Sequence, residues 1–122
     1  GGGERRTLRL VARYADACNL FDLPERFQQD LPHKLEVLRE HCREIGRDHR
    51  EIEKTVAVGD IDISAAGGEV LVEHLQRLAG LGIQHAILGG PGGGRPWDQK
   101  TLEALAPVVD RVHRVEPAAL AA

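Results

Sequence analysis

The sequence predicts an α/β domain in which parallel strands alternate with helices that cover the sheet. Three observations predict it. Apolar residues recur at helical spacing in four stretches. Three short runs rich in Val, Ile and Ala lie between those stretches. Aromatics make up only 3% of the chain, so the core must come from Leu, Val, Ile and Ala.

Residues 4–15 carry Leu8, Val11, Ala12 and Ala15 at i, i+3, i+4 and i+7, a helical stripe, with Arg5, Arg6, Arg9 and Arg13 largely off it. Leu10 and Tyr14 widen the stripe, so this helix is expected to be buried on more than one side. Ala17 to Phe21 is short and apolar-biased and reads as a buried strand before the polar run Asp22 to Asp30. Pro32 to Ile45 is the clearest helix. Proline suits a first helical turn, Leu35, Leu38, Cys42 and Ile45 form the stripe, and Gly46 is a natural C′ residue. Its charges, Arg39, Glu40, Arg43 and Glu44, read as a solvated face.

Glu53 to Asp62 holds Val56, Val58 and Ile61, with Ile63 nearby, a strand pattern that Gly59 ends or bulges. Glu69 to Ala79 is helical through Leu71, Leu75, Leu78 and Ala79, and Gly80 and Gly82 end it. Ile83 to Leu88 reads as the third strand, and Gly89 to Pro96 as a loop. Asp98 is placed as an N-cap for a last helix reaching about Val115, with Leu102, Leu105, Val109 and Val112 as its core side. Pro107 lies inside that helix and is expected to kink or split it. Residues 116–122 are expected to fray. Two architectures fit this order: an open doubly wound sheet, or part of a TIM barrel, whose eight units take about 250 residues.

With 122 residues the chain suits a single domain. A formal charge of −3 and a pI near 6.1 argue against a nucleic-acid module. No apolar run is long enough to span a membrane, and no signal-like segment opens the chain, so a cytoplasmic location is expected. Cys18 and Cys42 do not form CxxC and are expected to be reduced, with Cys42 buried beside a solvated His41; a metal site recruiting His33, His41 and Cys42 is disfavoured. The chain opens at Gly1 and contains no Met, and reads as a piece of a longer protein.

For chemistry, the first feature is Gly1-Gly2-Gly3 running into a helix. Backbone amides at a helix N-terminus are donors for an anion, and glycines admit it closely. Gly2, Gly3 and Glu4 amides with the Thr7 hydroxyl form a candidate phosphate cradle, with charge from Arg5 or Arg6; an inert loop is the competing reading. The second cluster, Gly89 to Gly94, matches neither GxGxxG nor the P-loop. Arg95 and Trp97 in that loop, His85 on the third strand, and the pair Asp60 and Asp62 are further candidates, each with a plain packing or surface reading beside it. No residue stands out as a nucleophile, and the catalytic residues remain unassigned.

The opening stretch Gly1 to Asn19 resembles the late part of the bacterial luciferase-like oxidoreductases, the flavin- or deazaflavin-dependent ones above all. There a glycine run leads into a helix with an Arg-x-Ala-x-x-Ala-Asp ending, whose last five positions correspond to Ala12 to Asp16, and the next strand begins Asp-Gly-Trp-Asn or a variant; Asp16-Ala17-Cys18-Asn19 departs at two positions. Leu35 to Asp48, ending Ile45-Gly46-Arg47-Asp48, is similar to that family's long helix closing in G-R-D, and Gly82 to Leu88 to its last strand. The likeness spans about residues 1–115.

The resemblance implies the C-terminal half of a TIM (β/α) barrel with a redox cofactor, coenzyme F420 or alternatively FMN, at the carboxyl ends of the strands. It implies phosphate binding at Gly1, Gly2, Gly3, Glu4 and Thr7, and hydride transfer with a small organic substrate. The substrate face would belong to the half not present here, so weak or no catalysis is expected of this chain alone, and its open edges point to a homodimer. The competing class is a non-catalytic α/β module that holds a phosphorylated ligand.

Overall fold

A computed structural model describes residues 3–22, 30–59, 67–90 and 95–122. Gly1, Gly2, the pair Asp60 and Asp62, the Ile61 to Ile63 end of the second expected strand and the glycines of 91–94 lie outside the described residues. The elements are α1 (Thr7–Tyr14), β1 (Ala17–Asp22), α2 (Leu31–Glu44), a 3-10 turn (His49–Glu51), β2 (Glu53–Val58), α3 (Gly67–Gly80), β3 (His85–Leu88) and α4 (Gln99–Val112).

The expected parallel α/β arrangement is present. The three strands form one parallel sheet in the order β1-β2-β3, with Cys18 opposite Lys54, Leu20 opposite Val56 and Val56 opposite Ala86. The crossover rule sends α2 and α3 to the same side of the sheet, and the shared core places α1 and α4 there too. The buried apolar strand residues Cys18 and Leu20, then Val56 and Val58, fall on alternate positions with Lys54, and Thr55 on the other face is buried as well. The apolar ones form one core with Leu8 and Ala12 of α1, Leu38 and Cys42 of α2, Leu71 and Leu75 of α3, and Val108 of α4.

The opposite face has no covering layer among the described residues. Register aligns its side chains in rows: Asn19, Thr55 and His85, then Phe21, Ala57 and Ile87. Asn19, Glu53, His85 and Ile87 are exposed, and Phe21 and Ala57 half-buried. Thr55 is shielded and donates its hydroxyl to Asn19 Oδ1 at 2.8 Å.

Several sequence expectations need correction. The first helix starts at Thr7 rather than residue 4, because Leu8 N–H reaches back to Gly3 O (2.9 Å) and leaves Glu4–Arg6 as a turn. Leu10 and Tyr14 are 57% and 74% exposed rather than buried, since α1 ends the helical layer and packs chiefly along α2. The same reason exposes Leu102 and Val109 on α4, whose buried residue is Val108. Pro107 does not split α4, which runs unbroken with the ring on an exposed side. His41 is not solvated: its ring nitrogen Nε2 lies 2.9 Å from Glu4 O.

The tail expected to fray is docked. Ala118 N–H donates to Ala79 O (2.8 Å), the ring of His49 to Ala121 O (2.7 Å), and Arg39 to Ala122 O (2.6 Å). These bonds use tail backbone, which leaves no side-chain signature in a run of alanines.

The run Ile45-Gly46-Arg47-Asp48 joins the layers. Gly46 takes a positive φ of 71°, and Arg47 N–H closes on Cys42 O at 2.9 Å, a Schellman ending. The Arg47 guanidinium donates to Ala12 O and Ala15 O, both at 2.9 Å, capping the last turn of α1. Asp48 accepts Arg50 N–H at 2.9 Å and so caps the 3-10 turn.

Lys54 is the unusual core residue. It is 2% exposed and its ammonium reaches the backbone carbonyl of His49. Burial pulls its pKa below the ordinary lysine value, whereas burial pushes the Cys18 and Cys42 thiols up.

Two outcomes follow from this packing. Arg47→Leu orphans the α1 carbonyls and is expected to cost about 2 kcal/mol, read as a lower urea midpoint. Lys54→Met tests the buried cation. A base with a depressed folded pKa destabilises fully below that pKa and is relieved as pH rises towards the unfolded value of about 10.4. Both chains share the opposing cysteine contribution. The stability gap in favour of the methionine variant is therefore expected to narrow as pH rises towards about 10 in paired urea titrations. A constant gap would refute it.

Candidate functional site

The end of the sheet that matters is set by chain direction. Only Ala15 and Asp16 separate α1 from β1, so α1 must run antiparallel to the strand and begin at its carboxyl end. The ion pair between Glu4 and Lys34, in the first turns of α2, places the two helix starts together there.

Of the sequence-predicted cradle, the described residues bring Gly3, Glu4 and Thr7 together. Among the described residues no side chain caps α1, and its preceding residue Arg6 is already in helical conformation. A Cβ on Gly3 would sit 2.9 Å from Thr7 Oγ1, so only glycine lets the hydroxyl occupy that place. The Glu4 side chain turns away to His33 Nε2 and Lys34 Nζ, each at 3.4 Å, while its carbonyl meets His41. Arg5 and Arg6 are exposed beside it.

The residues that sequence reasoning does not assign here are His33, Lys34 and His41. A signal exists. The first turn of α2 holds no acidic residue, yet His33 and Lys34 stand near the positive pole of the helix. Carboxylates are favoured beside such side chains, and Asp30 already accepts His33 N–H there at 3.0 Å. The Glu4 carboxylate lies beside both side chains, and a phosphate would bring more charge.

The same carboxyl end holds a second polar group. Asp22, the last residue of β1, binds the ring of His74 on α3 through Nε2, and Arg77 meets His74 Nδ1 at 2.6 Å. Both ring nitrogens are engaged, so the trio ties the strand end to α3 rather than offering a free base.

The other candidates are placed apart from the cradle. His85 lies on the uncovered face, 3.7 Å from Glu53. Arg95 and Trp97 are exposed after the glycine loop. Cys18 and Cys42 are buried free thiols, and among the described residues no group of three His, Cys, Asp or Glu is gathered for a metal. No helix among the described residues is long and apolar enough to cross a membrane. An apolar groove of about 390 Å³ opens along the outer edge of β3, walled by Leu75, Leu78, Ala86, Leu88, Leu105 and Val109.

Comparison with protein-family models, with curated proteins and with solved structures finds no match to this chain.

The Asp22 trio carries a prediction of its own. Asp22→Asn removes the charge that His74 and Arg77 share and is expected to cost about 1–2 kcal/mol. Amide exchange should speed at the end of β1 and in α3 while α1 and α2 keep their protection; uniform acceleration would contradict a local tie.

Proposed function

We propose that this chain is the C-terminal part of a β/α-barrel oxidoreductase of the luciferase-like kind, in which it holds the phosphate of a deazaflavin (coenzyme F420) or of FMN. One observation carries the reading: among the described residues every helix lies on one face of the sheet, and a helix start with cations beside it lies at the carboxyl end of the strands. A doubly wound sheet covers both faces, whereas barrel strands turn one face inward and stack it in layers. The rows Asn19–Thr55–His85 and Phe21–Ala57–Ile87 have the character of such layers, polar near the strand starts and apolar near their ends. Barrel enzymes bind ligands at the carboxyl ends, often with a phosphate on a helix N-terminus.

The residues present fit a phosphate. Gly3 leaves room, the Thr7 hydroxyl can donate, Lys34 supplies charge that Glu4 now neutralises, and the His33 ring lies beside that pair. Binding would release Lys34 from Glu4 towards the phosphate and leave the carboxylate with His33. When bound, the cofactor supplies hydride transfer to or from a small organic substrate. The chain's own part is to bind and orient its phosphate end. In this reading the uncovered face and both sheet edges meet the remainder of the barrel. Among the described residues they are surface without a partner.

Fluorescence titration with the deazaflavin tests the cradle. Gly3→Ala and Thr7→Val are each expected to weaken binding about tenfold, about 1.4 kcal/mol, with FMN and a sugar phosphate as comparison ligands. Unchanged affinity in both variants would remove the cradle. Response to the sugar phosphate alone would favour the non-catalytic module. Sizing chromatography tests the open face: the isolated chain is expected to dimerise with concentration, and Ile87→Lys to return it to monomer. A monomer at all concentrations would contradict an unfinished sheet.

A further inference from the structure

The opposite end of the sheet holds a feature that the cofactor reading does not use. A cleft of about 420 Å³ lies at the amino-terminal ends of β2 and β3, and Arg50, Lys54 and Gln84 line it together with the docked tail from Pro117 to Leu120. Lys54 stands in its wall as a buried amine with no carboxylate bound to it among the described residues; the ammonium nitrogen donates to His49 O. Lysine is seldom buried without an acidic partner, because water solvates its charge far better than a core does. The Lys54 backbone is held as well: its N–H donates to Gln84 Oε1 at 3.0 Å.

Arg50 supplies the second element. Asp48 takes its Nε at 3.0 Å and its Nη2 at 2.7 Å, and the guanidinium holds the Asp48 carboxyl down to about 2, so the pair persists across the working pH range. Nη1 stands outside that pair and can donate to a second carboxylate. Lys54 and Arg50 thus line the same cleft.

We propose that Lys54 and Arg50 form a site for a small 2-oxo carboxylic acid, which Lys54 takes up as a reversible imine. In its uncharged form the Lys54 amine attacks the keto carbon with its lone pair. The C–N bond forms, the carbonyl oxygen leaves as water, and both amine protons go with it. Arg50 Nη1 receives the carboxylate. Burial, which lowers the proton affinity of Lys54, leaves more of it neutral near neutral pH than an exposed lysine would have. The tail segment Pro117 to Leu120 forms one wall of the cleft. This site stands at the other end of the strands from the cradle, so it holds or fails independently of the cofactor reading.

The chain contains only three lysines, Lys34, Lys54 and Lys100, which makes the test direct. The wild-type chain is treated with pyruvate and cyanoborohydride at neutral pH, and the reduced adduct is mapped by peptide mass spectrometry. The adduct is expected mainly on Lys54, about tenfold or more over Lys34, Lys100 and the terminal amine. Arg50→Gln is expected to lower it severalfold with pyruvate and leave it unchanged with acetaldehyde, which has no carboxylate. Equal labelling of all the amines, or absence of label at Lys54 in the wild-type chain, overturns the proposal. The wild-type map decides this even where a Lys54 variant fails to fold. Equal Arg50→Gln effects on pyruvate and acetaldehyde would also overturn it, by denying Arg50 its part.

Discussion

One-sided coverage of a short parallel sheet governs everything else in the molecule. Three strands laid down in order, each returned by a helix of the same hand, leave the apolar volume on one face. That face is a finished core, with Leu8, Cys42, Ile52, Val56 and Leu71 fully enclosed. Among the described residues the other face and the two edges are bare. The layer also ends abruptly at its flanks, where α1 shows Leu10 and Tyr14 and α4 shows Leu102 and Val109. These exposures at opposite ends have one cause: each end helix has its helical neighbour on one side.

Within the finished layer, several polar groups have designated partners, while Arg39 Nε is buried without one. Arg47 closes the end of α1, Asp30 and Asp98 begin α2 and α4 by accepting His33 N–H and Thr101 N–H, and Arg111 binds Glu69 between α4 and α3. The docked tail adds backbone bonds across the bottom of the core. Lys54 departs from this pattern, since its charge is held by one carbonyl and, among the described residues, by no carboxylate. Departures of this kind from local consistency are where function tends to lie.

Much of this is legible in the amino-acid order. Helical periodicity locates all four helices, because a stripe repeated over several turns is hard to produce otherwise. Gly46 and Asp98 act as the terminators their residue types suggest, since those roles depend on local backbone chemistry alone. What periodicity cannot show is how many sides of a helix have neighbours. Leu10 and Tyr14 therefore look like core in the sequence, and so do Leu102 and Val109. The tail is illegible because its hydrogen bonds use main-chain groups and its Leu120 side chain rests over Gly82, which carries no side chain to signal the contact. Of the cradle, Gly3, Glu4 and Thr7 follow from the glycine run and the helix start. His33 and Lys34 do not, because their placement depends on α2 starting beside α1, a tertiary fact.

The start of α1, where Gly3, Thr7 and Lys34 gather at the carboxyl end of the sheet, is the proposed anion site on which the cofactor reading stands. The decisive measurement is amide chemical-shift mapping of the chain titrated with FMN. Shifts are expected to concentrate on Gly3 to Leu8 and on His33 and Lys34, to saturate together and to weaken with salt. Shifts centred elsewhere on the sheet, or none at millimolar ligand, would contradict it.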